Sequence, residues 1–276
     1  MPAYFERLDD DRYRPTEHAG GAWNPGELHF SPLAGLIVHA IDRHRAASSE
    51  AATSAVSGAV SGARDEKQLG RISFDILGFL AADDVTITVS TIRPGRTIEL
   101  VEASVGIGGR PAVLARAWFV GTADTASVAG GETDPLAAPD SLEPWALSDT
   151  WRGGFVASLD VRAVGTPVPG RAAAWLRSPA ELVADEPSSP HAAFVALVDT
   201  ANGIAMREPI TNWMFPNLDL TIHLFRQPSG PWVGLDTHVT FGASGQGLTS
   251  TALHDASGPV GRAEQLLTVR PLPAAP

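Results

Sequence analysis

Ser31-Pro-Leu-Ala-Gly-Leu-Ile-Val38 and Ser189-Pro-His-Ala-Ala-Phe-Val-Ala196 open two segments of one design. In each, the Ser suits a helix N-cap and the Pro suits the first turn. Leu33, Leu36, Ile37, Ala40 and Ile41 recur at i, i+3, i+4, i+7 and i+8, which makes a single apolar face. Phe194, Leu197, Val198 and Ala201 do the same in the second copy, and Asn202-Gly203 offers a C-terminal stop. The first helix becomes charged from Asp42 to Arg45. Ala46–Gly62 is then rich in Ala, Ser and Gly, the composition of a mobile loop or a weak helix extension.

Four strand-like runs follow each helix. In the first half they are Arg71–Phe79, Val85–Ile92, Thr97–Gly106 and Ala112–Val120, with turns at Pro94-Gly95 and Gly108-Gly109. In the second they are Leu218–Phe225, Val233–Phe241, Leu248–His254 and Val260–Val269, preceded by strand-like Phe155–Arg162 and Ala172–Leu176. Ser31 to Asp75 spans 44 residues and Ser189 to Asp219 spans 30, so a duplication needs 14 extra residues in the Ala/Ser-rich stretch. A helix wrapped by a sheet, repeated twice, is an α+β layout. The pattern divides the chain into a first half (1–122), a linker rich in Pro, Gly, Asp and Ser (123–150) and a second half (151–276).

Composition narrows the function. The 276 residues carry 20 Lys and Arg against 31 Asp and Glu, a formal charge of −11, which argues against nucleic acid as the main partner. There is no Cys, so thiolate metal sites, disulfides and a cysteine nucleophile are excluded. No apolar run reaches the ~18 residues of a membrane span, and Met1–Glu17 lacks the apolar core of a signal peptide. The expectation is a soluble cytoplasmic protein. No GxSxG and no GxxxxGK[ST] occurs. Gly106-Ile-Gly-Gly109 precedes Pro111 and a strand, which makes it a hairpin turn and not a dinucleotide loop.

Three stretches carry a resemblance. Asn217-Leu-Asp-Leu-Thr-Ile-His-Leu224, Trp232–Thr240 and Gly258-Pro-Val-Gly-Arg-Ala-Glu-Gln265 through Arg270 resemble the C-terminal half of acyl-CoA thioesterases of the TesB type. Arg71-Ile-Ser-Phe-Asp75 and Arg93-Pro-Gly-Arg96 look like their N-terminal half. The resemblance implies a double hotdog fold, an acyl-CoA substrate and no cofactor or metal. It also implies an Asp, a Thr or Ser and a Gln in the second half that position a hydrolytic water. By that resemblance these roles fall on Asp219, Thr240 and Gln265. Aligning Pro111 with Pro259 sets Ala117 against Gln265 and Ile92 against Thr240, while Asp75 aligns with Asp219. That predicts one working site per chain.

The residue types suit the chemistry. A carboxylate can take a proton from water, and a hydroxyl and an amide can orient that water without adding charge. Backbone N–H groups at a helix start can meet an oxyanion, and either Ser-Pro start could serve. The plain reading stands beside this one. Asn217, Asp219, Thr221 and His223 alternate with Leu218, Leu220, Ile222 and Leu224, as in a strand with one wet face. Gln265 lies in an apolar row with Gly261, Ala263, Leu267 and Val269, so it needs hydrogen-bond partners whichever reading holds. Two other functions fit the same sequence: a non-catalytic binder of acyl-CoA or another hydrophobic ligand, and an enoyl-CoA hydratase that pairs Asp219 with His223. Arg93, Arg96 and Arg226 are candidates for the CoA phosphates. Hotdog sheets also leave room for a homo-oligomer.

Overall fold

The computed structural model describes residues 2–55 and 67–272. The chain opens with a hairpin, β1 (Ala3–Arg7) and β2 (Arg12–Pro15), followed by the long helix α1 (Phe30–Ala55). Strands β3 (Lys67–Ile76), β4 (Val85–Arg93), β5 (Ile98–Ile107) and β6 (Arg110–Gly121) complete the first half. The second half begins with α2 (Gly154–Ala157), β7 (Asp160–Val168), β8 (Arg171–Arg177) and β9 (Glu181–Val183). Then come α3 (Pro190–Val198), α4 (Ala201–Ile204), β10 (Trp213–Met214), β11 (Asp219–Leu224), β12 (Val233–Phe241), β13 (Gln246–Asp255), β14 (Gly258–Thr268) and β15 (Arg270–Pro271).

Thirteen strands form one sheet in the order β7-β8-β12-β13-β14-β11-β3-β6-β5-β4-β2-β1-β9. Strands β11 and β3 meet antiparallel at its centre, and each half contributes six strands outward from there. Strand β9 adds to the edge in parallel with β1. This is the double hotdog, α+β in class. Residues 1–30 do more than their polarity suggests, because Tyr4, Phe5 and Tyr13 of the opening hairpin are fully buried.

The ladders show the duplication residue by residue. Asp75 opposite Leu114 recurs as His223 opposite Arg262. Thr86 opposite Gly106 recurs as Gly234 opposite His254, and Val105 opposite Val113 as Leu253 opposite Gly261. Even the irregularity at Val105–Gly106 returns at Leu253–His254. Every one of these steps is 148 residues (223 − 75). Ala117 is therefore the counterpart of Gln265, as the proline alignment gives, whereas Ile92 is the extra residue of a bulge and Arg93 opposite Leu100 stands where Thr240 stands opposite Leu248. Asp75 is not the counterpart of Asp219. It corresponds to His223, and Asp219 corresponds to Arg71. The two aspartates are cross-strand neighbours at the central seam.

Two other expectations change. Phe155–Arg162 begins as the helical turn α2, and its strand starts only at Asp160. Gly153 (φ 123°) turns the chain, and a Cβ on Gly154 would lie 1.9 Å from the Glu17 carbonyl oxygen. Close backbone packing here, with Phe155 N–H donating to Gly20 O, overrides strand propensity. The second helix also does not stop at Asn202-Gly203. It breaks at Asp199 and Thr200, which keep right-handed helical angles, and resumes as α4. Residues 46–55 extend α1, and 56–62 lie outside the described residues.

Helices α1 and α3 cross antiparallel in the core. Ser31 faces Thr200, Gly35 faces Ala196 and Asp42 faces Ser189. The crossing is close because Gly35 has no side chain: a Cβ there would stand 2.5 Å from Ala196 Cβ and 2.9 Å from Ala192 O. We expect Gly35→Ala to destabilise the fold by about 1–3 kcal/mol through overpacking. Urea unfolding checks this, and Ala196→Gly in the same chain should restore part of the loss. An unchanged urea midpoint in Gly35→Ala would mean that the crossing is looser than described.

Candidate active site

Gln265 is the predicted residue that lands in a buried polar cluster. It is 1% exposed on β14, and its Nε2 donates to Asp199 Oδ1 at 2.8 Å. Asn217 Nδ2 donates to the same oxygen, also at 2.8 Å. Asp199 itself is buried at the break between α3 and α4. Gln265 Oε1 is buried and has no partner within the protein. Directly across the ladder lies Thr249, fully buried, whose hydroxyl is likewise unpartnered. A carboxylate and two amides thus form one hydrogen-bonded cluster, with the Thr249 hydroxyl across the ladder from Gln265.

Burial sets the electrostatics. Loss of solvent pushes the Asp199 carboxyl up to about 6, against the opposing pull of the Asn217 and Gln265 hydrogen bonds. His29 stands beside it, with Nδ1 3.8 Å from Asp199 Oδ2. That approach is not an ion pair. Burial lowers the His29 pKa to about 3, so the ring is neutral, and its Nδ1 accepts from Ser31 N–H at 3.1 Å. The lone pair is therefore committed to the start of α1, and the proton sits on Nε2.

Aromatic rings close the pocket. Trp23 meets Trp151 edge-on at 4.9 Å and Phe215 at 5.3 Å. Trp151 is anchored by its indole N–H to Gly203 O at 2.9 Å. The cavity, lined by Trp23, His29, Trp151, Asp199, Thr200 and Asn217 among others, holds about 50 Å³. Of the two Ser-Pro helix starts, that of α1 lies beside it, His29 directly preceding the helix. The start of α3 is at the far end of the crossing, where Ser189 caps its own helix and donates to Asp42.

The other two predicted residues lie elsewhere. Asp219 is half-buried on the outer face of the sheet, and its Oδ1 accepts from Leu266 N–H at 2.6 Å. Thr240 is exposed, alternating with buried Val239. The three residues therefore do not meet. The reason is a one-residue register change. Asn217 bridges to Leu267, whereas four positions on, Thr221 pairs with Glu264, only three positions back, leaving one residue too many for simple alternation. Asn217 consequently faces the core while Asp219 and exposed Leu218 do not. Thr237, next to Thr240, is buried but hydrogen-bonded to Thr251 at 3.1 Å.

The Asp219–His223 pair fares no better as a hydratase dyad. The two are four strand residues apart, about 13 Å, on the outer face of the sheet. Among the described residues no three of His, Asp and Glu gather as a metal ligand set. No described helix is long and apolar enough to cross a membrane. Arg226 is committed to a bidentate pair with Asp255 (2.6 and 2.8 Å).

Sequence reasoning passed over Asp199 and Asn217. A signal for Asp199 existed: a lone carboxylate directly after the apolar run Phe194–Val198, on a helix with a buried face. The signal for Asn217 existed only in the register change, which strand alternation hides.

Comparison with known proteins agrees with this architecture. Residues 19–120 match the family described as acyl-CoA thioesterase N-terminal domain, and residues 139–269 match its C-terminal domain. No curated protein sequence matches. Among solved structures, a putative thioesterase from Novosphingobium aromaticivorans is similar at TM-score 0.68 and 19% identity, covering 96% of this chain and 98% of that one. A hot dog protein of unknown function from Alicyclobacillus acidocaldarius is similar at TM-score 0.71 and 13% identity, covering 97% and 96%. The acyl-CoA thioesterase II TesB2 from Mycobacterium marinum is similar at TM-score 0.64 and 16% identity, covering 99% and 96%. At such identities the structural likeness speaks for the fold, and the two domain matches speak for the family. The chain belongs to the acyl-CoA thioesterases of the TesB type.

Proposed function

We propose that this protein hydrolyses acyl-CoA thioesters with a water held by Asp199, Asn217 and Gln265. The observation that carries the reading is the convergence of both amides on one buried carboxylate oxygen beside a pocket lined by Trp23 and Trp151. With Oδ1 occupied, Oδ2 is the oxygen left to accept a proton from water. Gln265 Nε2 and Asn217 Nδ2 hold the carboxylate in place while Oδ2 does so. The Asp–hydroxyl–Gln arrangement implied by the family resemblance thus finds its carboxylate in Asp199, its amide in Gln265, and Asn217 in the third place.

The chemistry balances simply. Asp199 takes one proton as the water oxygen bonds to the thioester carbonyl carbon. The carbonyl oxygen becomes an oxyanion as that bond forms. Collapse breaks the C–S bond. The acid departs, and the proton on Asp199 passes to the CoA sulfur.

Gln265→Leu tests the arrangement against a panel of acyl-CoA esters. It removes one of the two bonds that favour the ionised carboxylate. We expect kcat/KM to fall by about 10²-fold and the acid limb of the pH–rate profile to move to higher pH. Loss of activity with no movement of that limb would point to damaged packing and remove Gln265 from the site.

A further inference from the structure

A second cavity, ten times larger, lies behind the first. It measures about 510 Å³, within the range that takes an extended ligand, and its mainly apolar lining (Tyr4, Leu182, Phe194, Val233) also includes the carboxylates of Glu181, Asp185 and Glu186. It shares no lining residue with the Asp199 pocket. The two nevertheless follow one another along one side of α3. Ala193 and Leu197 line the large cavity and Thr200 the small one, and these positions are i, i+4 and i+7. At 1.5 Å per residue, Leu197 and Thr200 are about 5 Å apart along the axis.

One ring packs against a lining residue of each cavity. Phe155 of α2 is fully buried. On one side its centroid is 5.6 Å from that of Tyr4, which lines the large cavity. On the other it is 4.3 Å from His29, which lines the small one. The neighbours are fixed. Tyr4 hydroxyl is hydrogen-bonded to Ser158 (2.8 Å) and Ser178 (2.6 Å), and Ser158 Oγ donates to Phe155 O at 2.7 Å. The pocket at Asp199, about a tenth the size of the large cavity, is too small for an extended chain.

We propose that Phe155 sets the acyl-chain length of this enzyme by walling the catalytic pocket off from the larger apolar chamber. The native protein then takes short acyl groups, and a smaller side chain at 155 admits a long chain into the chamber. This inference rests on the thioesterase reading.

The test compares kcat/KM for acetyl-, butyryl-, octanoyl- and palmitoyl-CoA in the native chain, Phe155→Leu and Phe155→Ala. Phe155→Leu is included because Phe155→Ala leaves a cavity that costs stability. Native chain should prefer acetyl- or butyryl-CoA. Either variant should raise the octanoyl-to-butyryl ratio by at least tenfold, and Ala193→Trp, placed in the mouth of the chamber, should cancel that gain when combined with it. A native preference for palmitoyl-CoA overturns the inference, as does an unchanged ratio in a Phe155→Leu variant that still cleaves butyryl-CoA. Both results leave the thioesterase reading standing. A folded native chain that cleaves none of the four esters removes the reading and the inference together.

Discussion

Asp199→Asn should lower kcat/KM for acyl-CoA hydrolysis by about 10³-fold, the scale of a lost general base. The substitution is conservative in shape. Asn keeps an Oδ1 that accepts from both Asn217 and Gln265, so the hydrogen-bond frame survives while the proton acceptor is lost. Two controls sharpen the result. Asp219→Asn and Thr240→Val should stay within about twofold of the native rate, as surface substitutions do. Asp219 spends its carboxylate on a backbone N–H of the outer face, and Thr240 faces away from the core. Steady-state kinetics on one short acyl-CoA decide the matter. A native-like rate in Asp199→Asn, or a collapse confined to Asp219→Asn, would return the carboxylate role to the outer face and end the proposal.

The same substitution should stabilise the protein at alkaline pH. Asp199 has its folded pKa raised by burial from 3.8 to about 6. A raised carboxyl pKa means that the folded state binds the proton more tightly than the unfolded state. Its contribution is fully present below about pH 4 and is lost as pH rises through about 6. The shift is about 2 units, or about 3 kcal/mol at ~1.4 kcal/mol per unit. Asn carries no charge to desolvate. The difference in unfolding free energy between Asp199→Asn and the native chain should therefore grow by about 3 kcal/mol in favour of the variant between pH 4 and pH 8. Urea unfolding at several pH values measures it. Parallel stability curves would show that this carboxyl does not ionise near pH 6 in the fold. The native enzyme's activity should rise through the same pH window, because only the ionised form accepts a proton. Stability and catalysis would then respond to one ionisation with opposite sign, a trade expected where a charge is kept dry for chemistry.

Much of this was legible in the sequence because it depends on local pattern. The Ser-Pro starts and the apolar spacing of Leu33–Ile41 and Phe194–Ala201 require only the helical period. Alternation and turn residues placed the eight main strands to within a few positions. Gln265 was legible for a related reason: an amide in an apolar row must find partners, whatever they are. The absence of Cys excluded whole chemistries outright.

What the sequence withheld depends on non-local contact. The opening hairpin reads as polar, yet β2 pairs with β4 and β9 adds to β1, which buries Tyr4, Phe5 and Tyr13. Asp75 and Asp219 look like copies in a linear alignment. The ladders show them to be neighbours across the seam, with the true repeat at 148 residues. One extra residue between Asn217 and Thr221 turns the former inward and leaves Asp219 outside, and a period-two reading cannot register that slip. Asp199 ends an apolar helix in the sequence. It becomes a candidate base only when β14 and the segment leading into β11 bring two amides to it beside a wall of aromatic rings. Local periodicity determined that there are two helix-wrapped halves. Cross-strand register and the closeness of the Gly35–Ala196 crossing decided which of their polar groups meet, because burial and pairing arise only between segments far apart in the chain.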